Sequence, residues 1–192
     1  SAPPALQGAW ALVPALPPAG ENLYGYSARL AGEFMGDPAL PYKIPFYKKG
    51  LEIFSGGEAS LLSPGAGSAS KQWPIQNYLS LARAFPKAPT FLLGPAEAPT
   101  WDRQIHESGF EVLRPDISAL RDLVRKFSGF IGNDSGPAHL AAQEGLETLI
   151  LYGPTDPLLW APPGKIRVLR PSTGRLGDLT LKEVQSVLGF SA

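Results

Sequence analysis

The residues best suited to chemistry lie in the stretch Asn133-Asp134-Ser135-Gly136-Pro137-Ala138-His139. An apolar run, Gly129 to Ile131, leads into it, and Leu140-Ala141-Ala142 follows. The pattern predicts a buried strand, a tight polar turn and the start of a helix. Gly132 and Gly136 are expected to adopt backbone angles that other residues resist, and Asn133 and Asp134 to form the turn. Pro137 suits the first helical position, where its missing N–H costs nothing. The unpaired N–H groups of that first turn, at the positive end of the helix dipole, make a site for phosphate. His139 lies close enough to add a donor. A well-capped turn without a ligand fits the same residues.

Two further turns share the pattern. Ser63-Pro64-Gly65-Ala66-Gly67-Ser68-Ala69-Ser70-Lys71-Gln72-Trp73-Pro74 follows a short strand and precedes a helix. Its small residues leave backbone N–H groups open, and Lys71 adds a positive charge, a combination that can cradle phosphate. It is neither the dinucleotide fingerprint GxGxxG nor the P-loop, and a flexible linker with a solvated lysine is the simpler account of it alone. Gly153-Pro154-Thr155-Asp156-Pro157 follows another strand, and Thr155 or Asp156 can cap the next helix.

These turns need a scaffold, and the chain supplies one. Strand patterns at 59–63, 90–93, 110–113, 129–131, 148–152 and 166–169 alternate with helix patterns at 74–85, 100–108, 117–127, 137 onward and 180–188. Alternation of this kind implies right-handed crossovers and a parallel sheet. The expected fold is a Rossmann-like, doubly wound α/β domain of six strands, with ligands at the carboxyl ends of the strands. It should occupy residues 51–192. Residues 1–50 carry two proline-rich pieces around one amphipathic helix bearing Leu23, Tyr26, Leu30 and Phe34. They are expected to form an arm or linker whose apolar helix face can mediate self-association.

Composition narrows the function. The 192 residues hold 17 Lys+Arg against 17 Asp+Glu, so nothing favours a nucleic-acid partner. Absence of cysteine removes disulfides, thiolate catalysis and cysteine-bound zinc, and two histidines, His106 and His139, do not suggest a metal centre. No metal and no cofactor are expected. No apolar run approaches the ~20 residues of a membrane span, and the expectation is a soluble, cytoplasmic protein.

The three turns together, in SxASKQWPIQNYLSLA, FIGNDSGPAHLAA and LYGPTDP, resemble the motifs of the bacterial ADP-heptose:lipopolysaccharide heptosyltransferases, glycosyltransferase family nine. They occur in that family's order and spacing, and the resemblance spans about residues 59 to 190. It implies the C-terminal half of a two-domain GT-B glycosyltransferase, which binds a nucleoside-diphosphate sugar, with ADP-heptose the leading donor. The full enzyme would pass the sugar to a lipopolysaccharide or other envelope glycolipid, at the inner face of the bacterial inner membrane.

The resemblance also assigns residues. Lys71 would contact donor phosphate, with Ser68 and Ser70 in the adjoining turn. Asp134, Ser135, Gly136, His139 and Thr155 would hold diphosphate and sugar, and Glu97 would meet the nucleotide ribose. Asp134 would accept hydrogen bonds from sugar hydroxyls or else orient the turn's amides. Trp73 and Trp160 are expected to pack beneath their loops, and His106 to lie on the surface. The family's acceptor-binding domain and catalytic base are not recognisable before residue 51. Two alternatives follow from that: a non-catalytic nucleotide-sugar-binding module, or a shortened relative lacking the acceptor domain.

Overall fold

The computed structural model describes residues 59–190. The proline-rich arm and its helix lie outside the described residues, as does the proposed self-association through Leu23, Tyr26, Leu30 and Phe34.

Six strands form one sheet, all neighbours parallel: β1 (Ser60–Ser63), β2 (Thr90–Leu92), β3 (Val112–Leu113), β4 (Gly129–Asn133), β5 (Glu147–Leu151) and β6 (Ile166–Leu169). Their order is β3-β2-β1-β4-β5-β6. The chain works outward from β1 to one edge, then returns beside β1 and works outward to the other. Strand order therefore reverses between β1 and β4, where a crevice opens at the carboxyl ends. Among the described residues, six α-helices accompany the strands: α1 (Ile75–Ala82), α2 (Pro99–Glu107), α3 (Ile117–Val124), α4 (Gly136–Gln143), the single turn α5 (Pro157–Trp160) and α6 (Leu181–Leu188). The expected alternation and parallel sheet are both observed.

Successive strand residues face opposite sides, so each central strand feeds two cores. Leu62, Ile131, Leu149 and Leu151 pack with Tyr78, Leu79, Leu81 and Ala82 of α1, Ile105 of α2, and Val184 and Leu188 of α6. On the other face, Leu61, Phe130 and Ile150 pack with Leu120 and Val124 of α3 and with Ala138, Ala141 and Ala142 of α4. The three alanines of α4 are almost wholly buried. With no longer side chains on that stripe, the helix lies close against β4 and β5. At the far end of the chain, α6 starts with a capping box. Thr180 N donates to Glu183 Oε2 at 2.8 Å, and Glu183 N to Thr180 Oγ1 at 3.3 Å. It ends at Gly189, whose φ of 75° is left-handed.

Gly132 corrects a sequence expectation. Neither Gly132 nor Gly136 is among the described glycines with positive φ. Gly132 is needed for space: a Cβ there would lie 2.7 Å from Phe130 Cε1 and 3.0 Å from the Ser63 carbonyl oxygen. A methyl group would push β4 against β1 at the crevice itself. Gly132→Ala is expected to lower stability by about 1–3 kcal/mol, read as a shifted urea midpoint at unchanged slope. An unmoved midpoint would contradict this packing.

Candidate active site

The expected polar turn is shorter than its sequence suggested. Asn133 still belongs to β4, and only Asp134 and Ser135 separate the strand from α4. Both Asn133 and Asp134 are buried, because Asp134 N donates to Leu151 O at 3.1 Å and keeps the chain against β5. Both are buried polar anchors, and Asn133 ends the strand instead of forming the turn expected of it.

Three of the expected site residues converge on the carboxylate of a fourth, Asp134. Lys71 Nζ donates to Oδ2 at 2.9 Å, Thr155 Oγ1 donates to Oδ2 at 2.8 Å, and His139 Nε2 lies 3.1 Å from Oδ1. They arrive from three different connections, those after β1, β4 and β5. An ionised carboxylate only accepts, so these contacts place protons on all three donors. Burial raises the Asp134 pKa, but hydrogen bonds from His139, Lys71 and Thr155 outweigh it and hold the carboxyl at about 2. Asp134 is thus a firmly charged hub at neutral pH. Lys71 keeps 29 % of its side chain exposed, so its ammonium faces both the carboxylate and solvent.

The remaining expected residues are distributed around this hub. Ser68 and Ser70 are exposed and bond each other, 3.0 Å between their hydroxyls. Asp156, not Thr155, caps α5, accepting from Leu158 N at 2.9 Å. Ser135 stands at the N-cap of α4 without a capping bond, and its Oγ is buried with no hydrogen-bond partner. Glu97 is farther off, held by Gly94 N, with its carboxylate laid over Gly65: a Cβ on that glycine would sit 2.1 Å from Glu97 Oε1. A side chain at residue 65 would make the Glu97 carboxylate move aside. Trp73 is fully buried, with Nε1 donating to Leu179 O at 2.8 Å. Trp160 packs against the second core, and His106 is exposed on α2. All three fall where the sequence placed them.

What adjoins the hub was not foreseen from the motifs. A pocket of about 770 Å³ opens between the connections after β1, β2 and β3 and the first turn of α4. Its walls are largely apolar, among them Leu92, Pro95, Ala96, Pro115 and Leu120, and Ser135, Gly136 and Glu97 also line it. Ile117, 87 % exposed, stands on its rim. Arg114 braces the wall, donating to both oxygens of Asp102 at 2.9 and 2.6 Å and to the carbonyls of Gly94 and Glu97. A pocket this size falls in the range of roughly 300–1,000 Å³ usual for small-molecule sites. Beside it, the first turn of α4 presents N–H groups that have no partner within the helix. The arrangement suits a ligand with an apolar ring at one end and an anionic group at the other. Among the described residues, no cluster of His, Cys, Asp or Glu could hold a metal ion.

Fold and site together define a doubly wound α/β domain whose polar hub and apolar pocket share its topological switch point. The chain belongs to glycosyltransferase family 9, the heptosyltransferase family, whose sequence profile matches residues 37–172. It is similar to lipooligosaccharide heptosyltransferase 2 of Campylobacter jejuni serotype O:2, 27 % identical over 133 residues, covering 62 % of this chain and 40 % of that protein. The serotype O:6 counterpart is 26 % identical over the same length. This chain thus spans about two-fifths of the relatives it matches. Its fold is similar to that of E. coli heptosyltransferase WaaC with ADP, at a TM-score of 0.66 and 21 % identity over 84 % of this chain and 54 % of that one. E. coli ADP-heptose lps heptosyltransferase II is alike at a TM-score of 0.60 and 22 % identity, over 78 % of this chain and 54 % of that one.

Proposed function

We propose that this chain is the donor-binding part of a heptosyltransferase-like enzyme. Its ligand is a nucleoside-diphosphate sugar, ADP-heptose first among candidates, and the acceptor in the whole enzyme is a lipopolysaccharide or related envelope glycolipid. One observation carries the reading: the apolar pocket and the charged hub meet at the first turn of α4. A nucleobase enters the pocket, where Ile117 gains cover. The ribose reaches Glu97, and the diphosphate lies along Gly65 to Lys71 and the start of α4, where the Ser135 hydroxyl finds a partner. Family membership supports this, as do the solved relatives described with ADP and with ADP-2-deoxy-2-fluoro heptose.

Glycosyl transfer leaves negative charge on the departing diphosphate as the anomeric carbon becomes cationic. Lys71 and the amides of α4 oppose that charge without reorganising during the reaction. Asp134 holds Lys71 and His139 in place and offers its remaining lone pairs to sugar hydroxyls. The positive charge comes from the protein itself, so the proposed reaction uses no cofactor besides the donor. No helix among the described residues is long and apolar enough to cross a membrane, and the reading has the protein meet its glycolipid from the cytoplasm at the membrane surface.

Of the carboxylates at this site, Asp134 is engaged by three donors and Glu97 by Gly94 N, while Asp116 also lines the pocket. With the two carboxylates nearest the proposed diphosphate and ribose held in this way, the reading is of a chain that binds donor and by itself transfers nothing. Calorimetry with ADP, UDP, GDP and ADP-heptose on the whole chain is expected to show binding, and an acceptor assay no transfer. No binding of any of the four at millimolar concentration, with the fold intact, would overturn the proposal.

A further inference from the structure

Asn133 ends β4 and is fully buried. Its side chain makes bonds in three directions. Oδ1 accepts from Trp73 N at 3.1 Å and from the Tyr78 hydroxyl at 3.0 Å, while Nδ2 donates to Pro64 O at 2.7 Å. Pro64 opens the connection between β1 and α1, and Trp73 closes it. A single amide therefore fastens both ends of one loop. The next residue, Asp134, takes Lys71 from the same loop. Between these ties Gly67, Ser68, Ala69 and Ser70 are exposed, and only a short 3-10 turn, with Lys71 N on Ser68 O and Gln72 N on Ala69 O at 3.1 Å, shapes them locally. The ends of the loop are held from β4.

We infer that Asn133 is a positioning residue for diphosphate binding: it sets the path of the 64–73 loop and so aims the loop's amides and Lys71 at the ligand. This rests on the reading of the site as a diphosphate cradle. The amide is well chosen for the task. It must donate to a carbonyl and accept from an N–H and an O–H at once, and neither an ionised carboxylate nor an aliphatic side chain does both. Asn133 makes no hydrogen bond to the β2 and β3 connections, which wall the apolar pocket together with Gly65, Ala66 and Gly67 of the loop, so its loss should cost the nucleoside end of the ligand less than the diphosphate end.

The test uses the whole chain with ADP and adenosine as probes. Asn133→Ala is expected to weaken ADP by roughly ten- to a hundredfold, the scale on which partners supporting metal ligands act, and adenosine by several-fold less than ADP. Hydrogen exchange supplies a readout without ligand: the Trp73 amide should lose protection while those of Ile131 and Leu149 keep theirs. Asn133→Asp adds a rescue. Its new carboxyl, when protonated, donates to Pro64 O and accepts from Trp73 and Tyr78; when ionised it faces the carbonyl with acceptors only. Its ADP affinity relative to wild type should therefore recover as pH falls. Tyr78, Asp134, Lys71 and His139 are the titratable neighbours, and they are common to both proteins at each pH. Equal losses for ADP and adenosine, unchanged Trp73 protection, or no recovery at low pH would overturn the role of Asn133. Wild-type protein that binds no ADP would instead overturn the proposed function, and the exchange measurement would still judge the loop.

Discussion

Lys71→Ala is expected to weaken nucleoside-diphosphate binding by roughly ten- to a hundredfold. A hydrogen bond from a charged donor to phosphate is worth about 1.5–3 kcal/mol, and Lys71 is the cation brought to the hub by Asp134, 2.9 Å away. Its partial exposure leaves the side chain open to a ligand. Lys71→Arg should lose less, since the charge remains, although the planar guanidinium does not reproduce the lysine's compact geometry. Nucleoside without phosphate should bind both variants like wild type. Calorimetry with ADP and adenosine checks this, and equal ADP affinity in Lys71→Ala would mean that the lysine serves Asp134 alone.

Asp134 should govern the acid limit of the fold. Its folded pKa is depressed from 3.8 to about 2, so the unfolded chain binds the proton more readily. Its contribution to stability is fully present above about pH 4 and is lost as pH falls through about 2. At about 1.4 kcal/mol per decade of proton affinity, the charged carboxylate contributes about 2 kcal/mol. Asp134→Asn should remove that increment at pH 6 and differ much less from wild type near pH 2. Other carboxylates with lowered values, Asp102, Glu144, Asp178 and Glu183 among them, are common to both proteins and cancel in the difference. Urea unfolding at pH 6, 4 and 2.5 reads it. A gap between the two proteins that does not shrink with acid would show that the hydrogen bonds from Lys71, His139 and Thr155 do not depend on the charge.

The sheet was legible because apolar runs alternate with periodic helices, and parallel strands buried on both faces leave few other readings for Leu61-Leu62 or Leu149-Ile150-Leu151. The hub was partly legible. Lys71, Asp134 and Thr155 lie in connections that follow strands and His139 in the helix start after one, and parallel strands bring such connections to one edge. What the turns do to one another was not legible. Asp134 looked like a turn former because Asp usually is one, and only the register of β4 against β5 shows it pulled inward. Asn133 was misread for the same reason: its role depends on Pro64 and Trp73, far away in the chain. The pocket gave no sequence signal, since Pro95, Ala96, Pro115 and Ile117 are ordinary loop and helix-start residues until the fold assembles them. Gly132 was noticed as a glycine, yet its necessity is steric, set by Phe130 and by the Ser63 carbonyl across the sheet.

The central claim is that a nucleoside diphosphate lies with its ring in the pocket and its phosphates between the 64–73 loop and the start of α4. Amide chemical shifts of the whole chain, titrated with ADP, test this most directly. The account predicts saturable shifts at Gly65, Gly67, Ser70, Lys71, Ser135, Gly136 and Ala138, together with Glu97 and Ile117, and little change along α6. Shifts that avoid the Ser135–Ala138 turn, or that cluster on a face away from the carboxyl ends of β1 and β4, would contradict it.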